Sequence, residues 1–102
     1  SAKGNIGQSA YSVAKSGIEI LTKIWAHELS SFNIRVACIS PGFLNTKSTN
    51  RALAKFQVEH LKDATPMKRL GSTKELNHAI NFVIQNDFFN GKVLSLDGGL
   101  EI

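Results

Sequence analysis

A tyrosine and a lysine four positions apart are the residues of this chain best suited to chemistry. Tyr11 and Lys15 open a helical pattern in the stretch QSAYSVAKSGIEIL, and residues four apart are neighbours on one face of a helix. An ammonium group beside a phenol favours the phenolate. The pair therefore suits a general acid that gives up its proton near neutral pH.

The element that must position this pair is a helix of about twenty residues that begins near Ser9. Its apolar residues recur at intervals of three and four and predict one broad apolar face, which Ile20 widens. The residues of that face are Ala14, Ile18, Leu21, Ile24, Trp25 and Leu29. The apolar run 34–39 then predicts a strand buried on both faces of a parallel sheet, which Ser40-Pro41-Gly42 should end.

The second half of the chain repeats this order of helix and strand. Residues 43–72 are irregular, with a short helix predicted around 52–61. Ser72 and Glu75 have the spacing of a capping box and predict the start of an amphipathic helix, and residues 92–96 predict a last strand. Helices that alternate with buried strands indicate an α/β fold with a parallel sheet. Because two strands would leave the helix faces uncovered, we expect this chain to be part of a larger domain.

Composition excludes several other classes of function. The net charge of +4 comes from scattered basic residues without a block of like charges, which gives no support to a nucleic-acid or membrane partner. No apolar stretch approaches the roughly 20 residues of a bilayer span. Cys38 has no partner cysteine, and three histidines lack metal-like spacing (His27, His60 and His78). We therefore expect no metal site and a reducing, cytoplasmic setting.

Three motifs in a fixed order identify a family resemblance. Tyr11-x-x-x-Lys15 precedes Pro41-Gly42-Phe43-Leu44-Asn45-Thr46, and Asp97-Gly98-Gly99 follows near the end of the chain. In this order they resemble the C-terminal part of a short-chain dehydrogenase/reductase (SDR), especially the 3-oxoacyl-[acyl-carrier-protein] reductase-like branch. The resemblance implies a Rossmann-like, doubly wound parallel sheet. It also assigns residues 1–102 to the C-terminal portion of a single domain.

The resemblance implies a role for six residues. Tyr11 matches the general acid/base, and Lys15 matches the lysine that assists it and holds the ribose hydroxyls of NAD or NADP. Pro41 and Gly42 match the turn against the nicotinamide, while the Leu44 backbone and the Thr46 hydroxyl match partners of its carboxamide. An ordinary Pro-Gly turn with a loop threonine remains the alternative for this segment. The Asp97-Gly98-Gly99 motif more often has a structural role.

The function implied by the resemblance is hydride transfer between NAD(P) and a small molecule, interconverting a carbonyl and an alcohol. A 3-oxoacyl thioester is the first expectation for the substrate, and a small ketone, a sugar or a polyol is the next. Residues 47–70 match the variable substrate loop, although their apolar side chains also suit the inner face of a short helix. The family further implies a homotetramer or homodimer in which the helix at 9–31 packs against its counterpart.

Part of the family pattern is missing from these residues. No glycine-rich phosphate loop occurs, and the catalytic serine belongs about a dozen residues before the tyrosine, where only Ser1 comes close, and only with a shortened loop. We therefore expect a fragment of a longer enzyme that carries half of an active site. The alternative is a truncated, inert paralogue whose remaining role is association with full-length subunits.

Overall fold

The computed structural model describes residues 8–100, in which helices and strands alternate. The first half contains α1 (Gln8–Leu29), a short 3₁₀ turn (Ser30–Phe32) and β1 (Cys38–Pro41). It is followed by α2 (Lys47–Ala52), α3 (Lys55–Ala64), α4 (Thr73–Gln85) and β2 (Val93–Leu96). This order confirms the α/β fold class. None of the helices within residues 8–100 is long and apolar enough to cross a membrane.

The two strands are neighbours in a parallel sheet. At one end the Cys38 N–H donates to the Lys92 carbonyl over 3.1 Å, and at the other the Gly42 N–H donates to the Leu96 carbonyl over 2.9 Å. From the first bond to the second, the residue numbers rise along both strands, as they must when two strands are parallel.

The first strand begins later than the predicted range of 34–39. The Val36 N–H is bonded to the side-chain oxygen of Asn90 over 2.9 Å, so a loop side chain takes the place of a sheet partner there. Regular pairing starts at Cys38, and the strand ends at Pro41, within the Ser40-Pro41-Gly42 stop predicted from sequence. In a parallel strand, only every second residue bonds to a given neighbouring strand. Pro41 is one of the residues that face away from β2, so its missing N–H costs no bond to that strand.

The chain forms two compact units, each described by itself: residues 8–38 with 86–93, and residues 39–85 with 94–100. In the first unit the buried positions of α1 are Thr22 and Ala26, each 4% exposed. The Thr22 hydroxyl donates to the Ile18 carbonyl over 2.7 Å, which satisfies its hydrogen bond inside the helix. A Cβ at Gly91 would lie 3.1 Å from the Ala26 Cβ, so the loop around Gly91 packs directly on this part of α1.

That close packing explains why the apolar face predicted for α1 is not the buried one. Large side chains of the predicted face remain exposed within the described residues, with Ile18 at 54% and Trp25 at 48%. A side chain larger than that of Ala26 would not fit at this position beneath the Gly91 loop. Most of the large apolar residues of α1 are therefore exposed, and Leu29 at the end of the helix is partly buried.

In the second unit, two helices replace the single helix predicted around 52–61. The chain leaves α2 at Leu53, whose φ of −117° and ψ of 143° are extended, and α3 then begins. The Ala54 N–H donates to the side-chain oxygen of Gln57 over 2.7 Å and so fixes the first turn of α3. Leu70 and Ala79 are buried in this unit.

The start of α4 confirms the capping box predicted from sequence. The Glu75 N–H donates to the Ser72 hydroxyl over 3.1 Å, and the Ser72 N–H donates to the Glu75 carboxylate over 2.9 Å. These reciprocal bonds satisfy two backbone donors at the N-terminus of the helix. The first helical residue is accordingly Thr73.

Candidate active site

Tyr11 and Lys15 lie in the first two turns of α1, on the face of the helix that is buried further along. Successive helical residues are about 100° apart, which places these two side chains on the same side as Thr22 and Ala26. Tyr11 is 52% exposed and Lys15 is half-buried. The pair therefore lies at the N-terminal end of the inward face of α1, where side chains remain accessible.

The opposite face of α1 carries an exposed apolar stripe, which we call the outer stripe (Val13, Gly17, Ile20 and Ile24). Val13 is 72% exposed, Ile20 57% and Ile24 44%. A Cβ added at Gly17 would meet no atom within 4 Å among the described residues. The two faces of the helix are thus chemically distinct: one holds the tyrosine and the lysine, and the other is apolar and accessible.

The turn after β1 holds the other predicted site residues in the second unit. Gly42 follows the exposed Pro41 at the carboxyl end of the strand, the edge at which open α/β sheets bind ligands. A Cβ at Gly42 would lie 2.9 Å from the Asp97 Cα, closer than such atoms approach in proteins. Glycine is therefore required where the ends of β1 and β2 meet.

The backbone of Leu44 is held by an isolated parallel bridge to Gly71. The bridge uses the Phe43 carbonyl, which accepts from the Gly71 N–H over 2.9 Å, and the Asn45 N–H, which donates to the Gly71 carbonyl over 2.8 Å. The N–H and C=O of Leu44 itself take no part in these bonds. The bridge thus fixes Leu44 while leaving its own donor and acceptor to bond another group.

Thr46 caps the short helix α2. Its hydroxyl oxygen accepts from the Thr49 N–H over 3.1 Å, and its O–H donates to the Thr49 hydroxyl oxygen over 3.0 Å. A hydroxyl has one proton and two acceptor positions, so one acceptor position of Thr46 remains. That position can receive an amide N–H, such as that of a carboxamide.

A charged pair that the sequence interpretation missed stands at the start of α4. The two terminal nitrogens of the Arg69 guanidinium each donate to one Glu75 oxygen over 2.8 Å. Hydrogen bonds from Arg69, and then from the backbone and hydroxyl of Ser72, lower the pKa of Glu75 from 4.5 to about 2. The bond to Glu75 and its negative charge raise the pKa of Arg69. The capping-box spacing indicated Glu75, but no local pattern indicated its partner six residues upstream.

A small cleft lies beside this pair in the second unit. Its volume is about 140 Å³, and its apolar walls include Phe43, Leu44, Met67 and Leu96. Pockets for drug-sized ligands are larger, at roughly 300–1,000 Å³, so this cleft suits a small group only. Met67 belongs to residues 47–70, which the family resemblance matches to the substrate loop, and it is 60% exposed at the cleft.

The Asp97-Gly98-Gly99 motif makes a turn at one side of the same cleft. The Asp97 carboxylate accepts from the Gly99 N–H over 3.1 Å, and the Gly98 carbonyl accepts from the Met67 N–H over 3.2 Å. Gly98 has a φ of +64°, and a Cβ there would lie 2.9 Å from the Thr65 side chain, so glycine is needed for both reasons. These bonds give the motif a structural role.

Two other expectations from the sequence concern a metal site and the catalytic serine. No three histidine, cysteine, aspartate or glutamate side chains within residues 8–100 are grouped so that they could hold a metal ion. Ser1, the one position considered for a catalytic serine, lies outside the described residues.

Comparison with known proteins identifies the family. A family model described as enoyl-(acyl carrier protein) reductase matches residues 1–101. The chain belongs to the short-chain dehydrogenase/reductase family. It is 39% identical over 100 residues to a Mus musculus protein named 3-oxoacyl-[acyl-carrier-protein] reductase, with 98% of the chain and 41% of that protein covered. A Thermotoga maritima protein of the same name, FabG, is 37% identical over 101 residues, which cover 97% of the chain and 41% of that protein.

A solved structure supports the same family. The crystal structure of 3-hydroxyacyl-CoA dehydrogenase type-2 from Mycobacterium avium superposes with a TM-score of 0.85 at 37% sequence identity. The match covers 98% of this chain and 39% of that SDR chain. The chain therefore spans about two-fifths of the length of the SDR relatives it matches.

Proposed function

We propose that the protein containing these residues is an NAD(P)-dependent oxidoreductase that interconverts a carbonyl and an alcohol. The observation that carries the proposal is the placement of Tyr11 and Lys15 together on the inward face of α1, in a chain of the SDR family. We further propose that residues 1–102 form the C-terminal portion of a single SDR domain. The relatives are named as reductases and a dehydrogenase, which favours an enzyme over an inert association module.

In this proposal the proton passes through the Tyr11 hydroxyl. During reduction the hydroxyl donates its proton to the carbonyl oxygen of the substrate, and during oxidation the phenolate takes the proton back from the alcohol. The Lys15 ammonium, one helical turn away, stabilises the phenolate by its positive charge. Lys15 also binds the ribose hydroxyls of the nicotinamide nucleotide.

The residues after β1 fit the nicotinamide end of that nucleotide. The N–H and C=O of Leu44 are left out of the bridge to Gly71, and Thr46 keeps one acceptor position. A carboxamide has both donors and an acceptor, so it complements these groups. Pro41 and Gly42 form the turn against the ring. When bound, the nucleotide supplies or receives the hydride.

The substrate that we propose is a 3-oxoacyl thioester. Relatives that match nearly the whole chain are named 3-oxoacyl-[acyl-carrier-protein] reductase, and the related structure is named 3-hydroxyacyl-CoA dehydrogenase. The oxidised form of a 3-hydroxyacyl group is a 3-oxoacyl group, so both names describe the same pair of acyl groups on two different carriers. The small apolar cleft beside Met67 agrees with a substrate that has a hydrocarbon portion.

We also propose that the protein is a homodimer or homotetramer in which the outer stripe of α1 packs against a second copy. The stripe is apolar and exposed along three turns of the helix. Such a face usually marks a contact surface in a folded protein.

The test of the enzymatic proposal is the substitution Tyr11→Phe in the intact protein. It removes the proton donor and keeps the ring, so kcat for acetoacetyl thioester reduction should fall by about 10²–10⁴-fold, the usual contribution of a general acid. The dissociation constant for the nicotinamide nucleotide, measured by titration of its fluorescence, should stay the same. A variant that keeps the full kcat would contradict the role assigned to Tyr11.

Lysine substitutions on the same helix provide a matched pair. Lys15→Met should lower kcat and weaken nucleotide binding together, because it removes the charge beside the phenol and the partner of the ribose. Lys23→Met, on the exposed side of α1 two turns further on, should change neither. Equal effects of the two substitutions would show that Lys15 acts only as a surface charge.

A further inference from the structure

The basic residues are scattered along the chain, but their excess over acidic residues falls within residues 45–70. Residues 45–70 contain six basic residues (Lys47, Arg51, Lys55, Lys62, Lys68 and Arg69) and two acidic ones (Glu59 and Asp63), a difference of four. The whole chain has twelve basic and eight acidic residues, also a difference of four. The rest of the chain is therefore balanced, and its entire excess of charge lies in this one segment.

Three of these six cations have hydrogen-bonding partners inside the second unit, and two of these partners are carboxylates. Lys62 forms an ion pair with Glu59 over 3.2 Å, and Arg69 forms the two-pronged pair with Glu75. The Lys68 ammonium donates to the Asp63 carbonyl over 2.5 Å, at the end of α3. Each cation in the downstream half of the segment thus has a local hydrogen-bonding partner.

The upstream half has none. Lys47, Arg51 and Lys55 are exposed, and within residues 8–100 they take part in no ion pair. No acidic residue occurs between positions 45 and 58. Uncompensated like charges repel one another, and an anion bound between them would relieve that repulsion.

These three cations lie on two successive short helices, α2 and α3. The Thr46 cap anchors α2, and the Asn50 side chain donates to the Asn45 side chain over 2.9 Å, which holds the same helix to the turn. Lys47 and Arg51 are four residues apart on α2, hence on one face, and Lys55 opens α3. The next residue, Phe56, is 73% exposed. We call Lys47, Arg51, Lys55 and Phe56 the basic surface.

We propose that the basic surface binds the phosphate groups of a pantetheine-type thioester handle. This inference rests on the proposed function, because the handle belongs to its thioester substrate. Phosphates are multiply charged acceptors that lysine and arginine bind well at an exposed site, and an exposed ring beside cations can stack on a nucleotide base. The surface begins one residue after Thr46, so a handle held there extends from the proposed nicotinamide turn.

The deciding experiment compares thioesters with and without phosphates in the intact protein. The triple substitution Lys47→Gln, Arg51→Gln, Lys55→Gln should raise KM for acetoacetyl-CoA by about tenfold, as expected for three exposed charge pairs, with kcat unchanged. The KM for acetoacetyl-N-acetylcysteamine, which has no phosphate, should stay the same. A third substrate, an acetoacetyl acyl carrier protein, shows which phosphate the basic surface binds. If the triple substitution raises KM for both acetoacetyl-CoA and the carrier protein, the surface binds the phosphate that the two handles share. If it raises KM for acetoacetyl-CoA alone, the surface binds the nucleotide part of CoA.

A second triple variant controls for the loss of charge. Lys23→Gln, Lys74→Gln, Lys92→Gln removes the same three charges from exposed positions outside the segment and should leave every KM unchanged. The proposal would be overturned by an equal effect of the two triples, by an equal rise for the neutral thioester, or by no rise at all. It would also be overturned if the first triple raised KM for the nicotinamide nucleotide instead.

Direct binding keeps this inference separate from the proposed function. CoA titrated calorimetrically into the intact protein should bind about tenfold more weakly to the first triple variant than to the wild type or the second triple. If no thioester is reduced but this difference is found, the proposed reaction fails while the phosphate site stands. If thioesters are reduced and CoA binds all three proteins equally, the reaction stands and the site is refuted.

Discussion

Gly42 and Asp97 meet at the ends of β1 and β2, where a methyl group on residue 42 would lie 2.9 Å from the Asp97 Cα and 3.0 Å from its Cβ. The Gly42 N–H also donates to the carbonyl of Leu96, the residue just before Asp97. The turn proposed to border the nicotinamide is thus held against the Asp97-Gly98-Gly99 turn by backbone contact. Backbone atoms cannot move aside as a flexible side chain can, so this contact makes Gly42 a sensitive position.

The first prediction is that Gly42→Ala destabilises the intact protein by about 1–3 kcal/mol, the usual cost of forcing an extra methyl group into a packed site. The free energy of unfolding in urea measures this effect. Ser95→Ala is the matched control, because Ser95 is an exposed residue of β2 and loses only a hydroxyl. Equal stability of Gly42→Ala and the wild type would mean that the strand ends are further apart than described.

The second prediction concerns the acid range, through the pair of Arg69 and Glu75. The folded protein lowers the pKa of Glu75 from 4.5 to about 2, so its carboxylate stabilises the fold fully above pH 4.5. That contribution is lost as the pH falls from 4.5 through 2. The difference in free energy of unfolding between the wild type and Glu75→Gln should therefore be largest above pH 4.5 and should narrow towards pH 2.

A series of urea titrations between pH 7 and pH 2 tests this pH dependence. Glu59→Gln is the control, because Glu59 makes only an exposed ion pair with Lys62 on α3 and caps no helix. Above pH 4.5 its effect on stability should be smaller than that of Glu75→Gln. A Glu75→Gln difference that stays constant down to pH 2 would contradict the lowered pKa.

The features that were predictable from sequence depend on neighbours in the chain. The start of α4 was predicted because Ser72 and Glu75 satisfy each other's backbone donors three residues apart. The spacing of Tyr11 and Lys15 is likewise a property of one helix. The fold class followed from the alternation of such local elements.

The features that were missed depend on residues distant in the chain. The late start of β1 is set by Asn90, which bonds Val36 from 54 positions away. The buried face of α1 is set by Gly91, whose loop admits only small side chains against Ala26. In the candidate site, the groups that Leu44 leaves available are defined by its bridge to Gly71. None of these contacts has a periodicity or a spacing that a single sequence reveals.

The third prediction separates the two roles of Thr46. Thr46→Ala removes the cap of α2, which should cost about 1 kcal/mol, and it also removes the proposed partner of the carboxamide. We expect KM for the nicotinamide nucleotide to rise by about tenfold, the effect of one lost hydrogen bond at a binding site. Thr46→Ser, which keeps the hydroxyl, should restore both stability and KM.

Ser72→Ala provides the control for capping alone. It removes the cap of α4 and should also destabilise the protein by about 1 kcal/mol, but it should leave KM for the nucleotide unchanged. If both alanine substitutions raised KM equally, loss of stability rather than loss of a carboxamide contact would explain the effect at Thr46.

The fourth prediction tests association through the outer stripe of α1. A carboxylate at the centre of an apolar contact would be buried without a partner, so Ile20→Glu should weaken association of the intact protein by about 2 kcal/mol or more, about thirtyfold in the dissociation constant. Light scattering across a range of protein concentrations measures the change. Phe88→Glu is the control, because Phe88 is 98% exposed and lies outside α1. If Ile20→Glu assembled as the wild type does while Phe88→Glu dissociated, the contact between copies would lie away from the outer stripe.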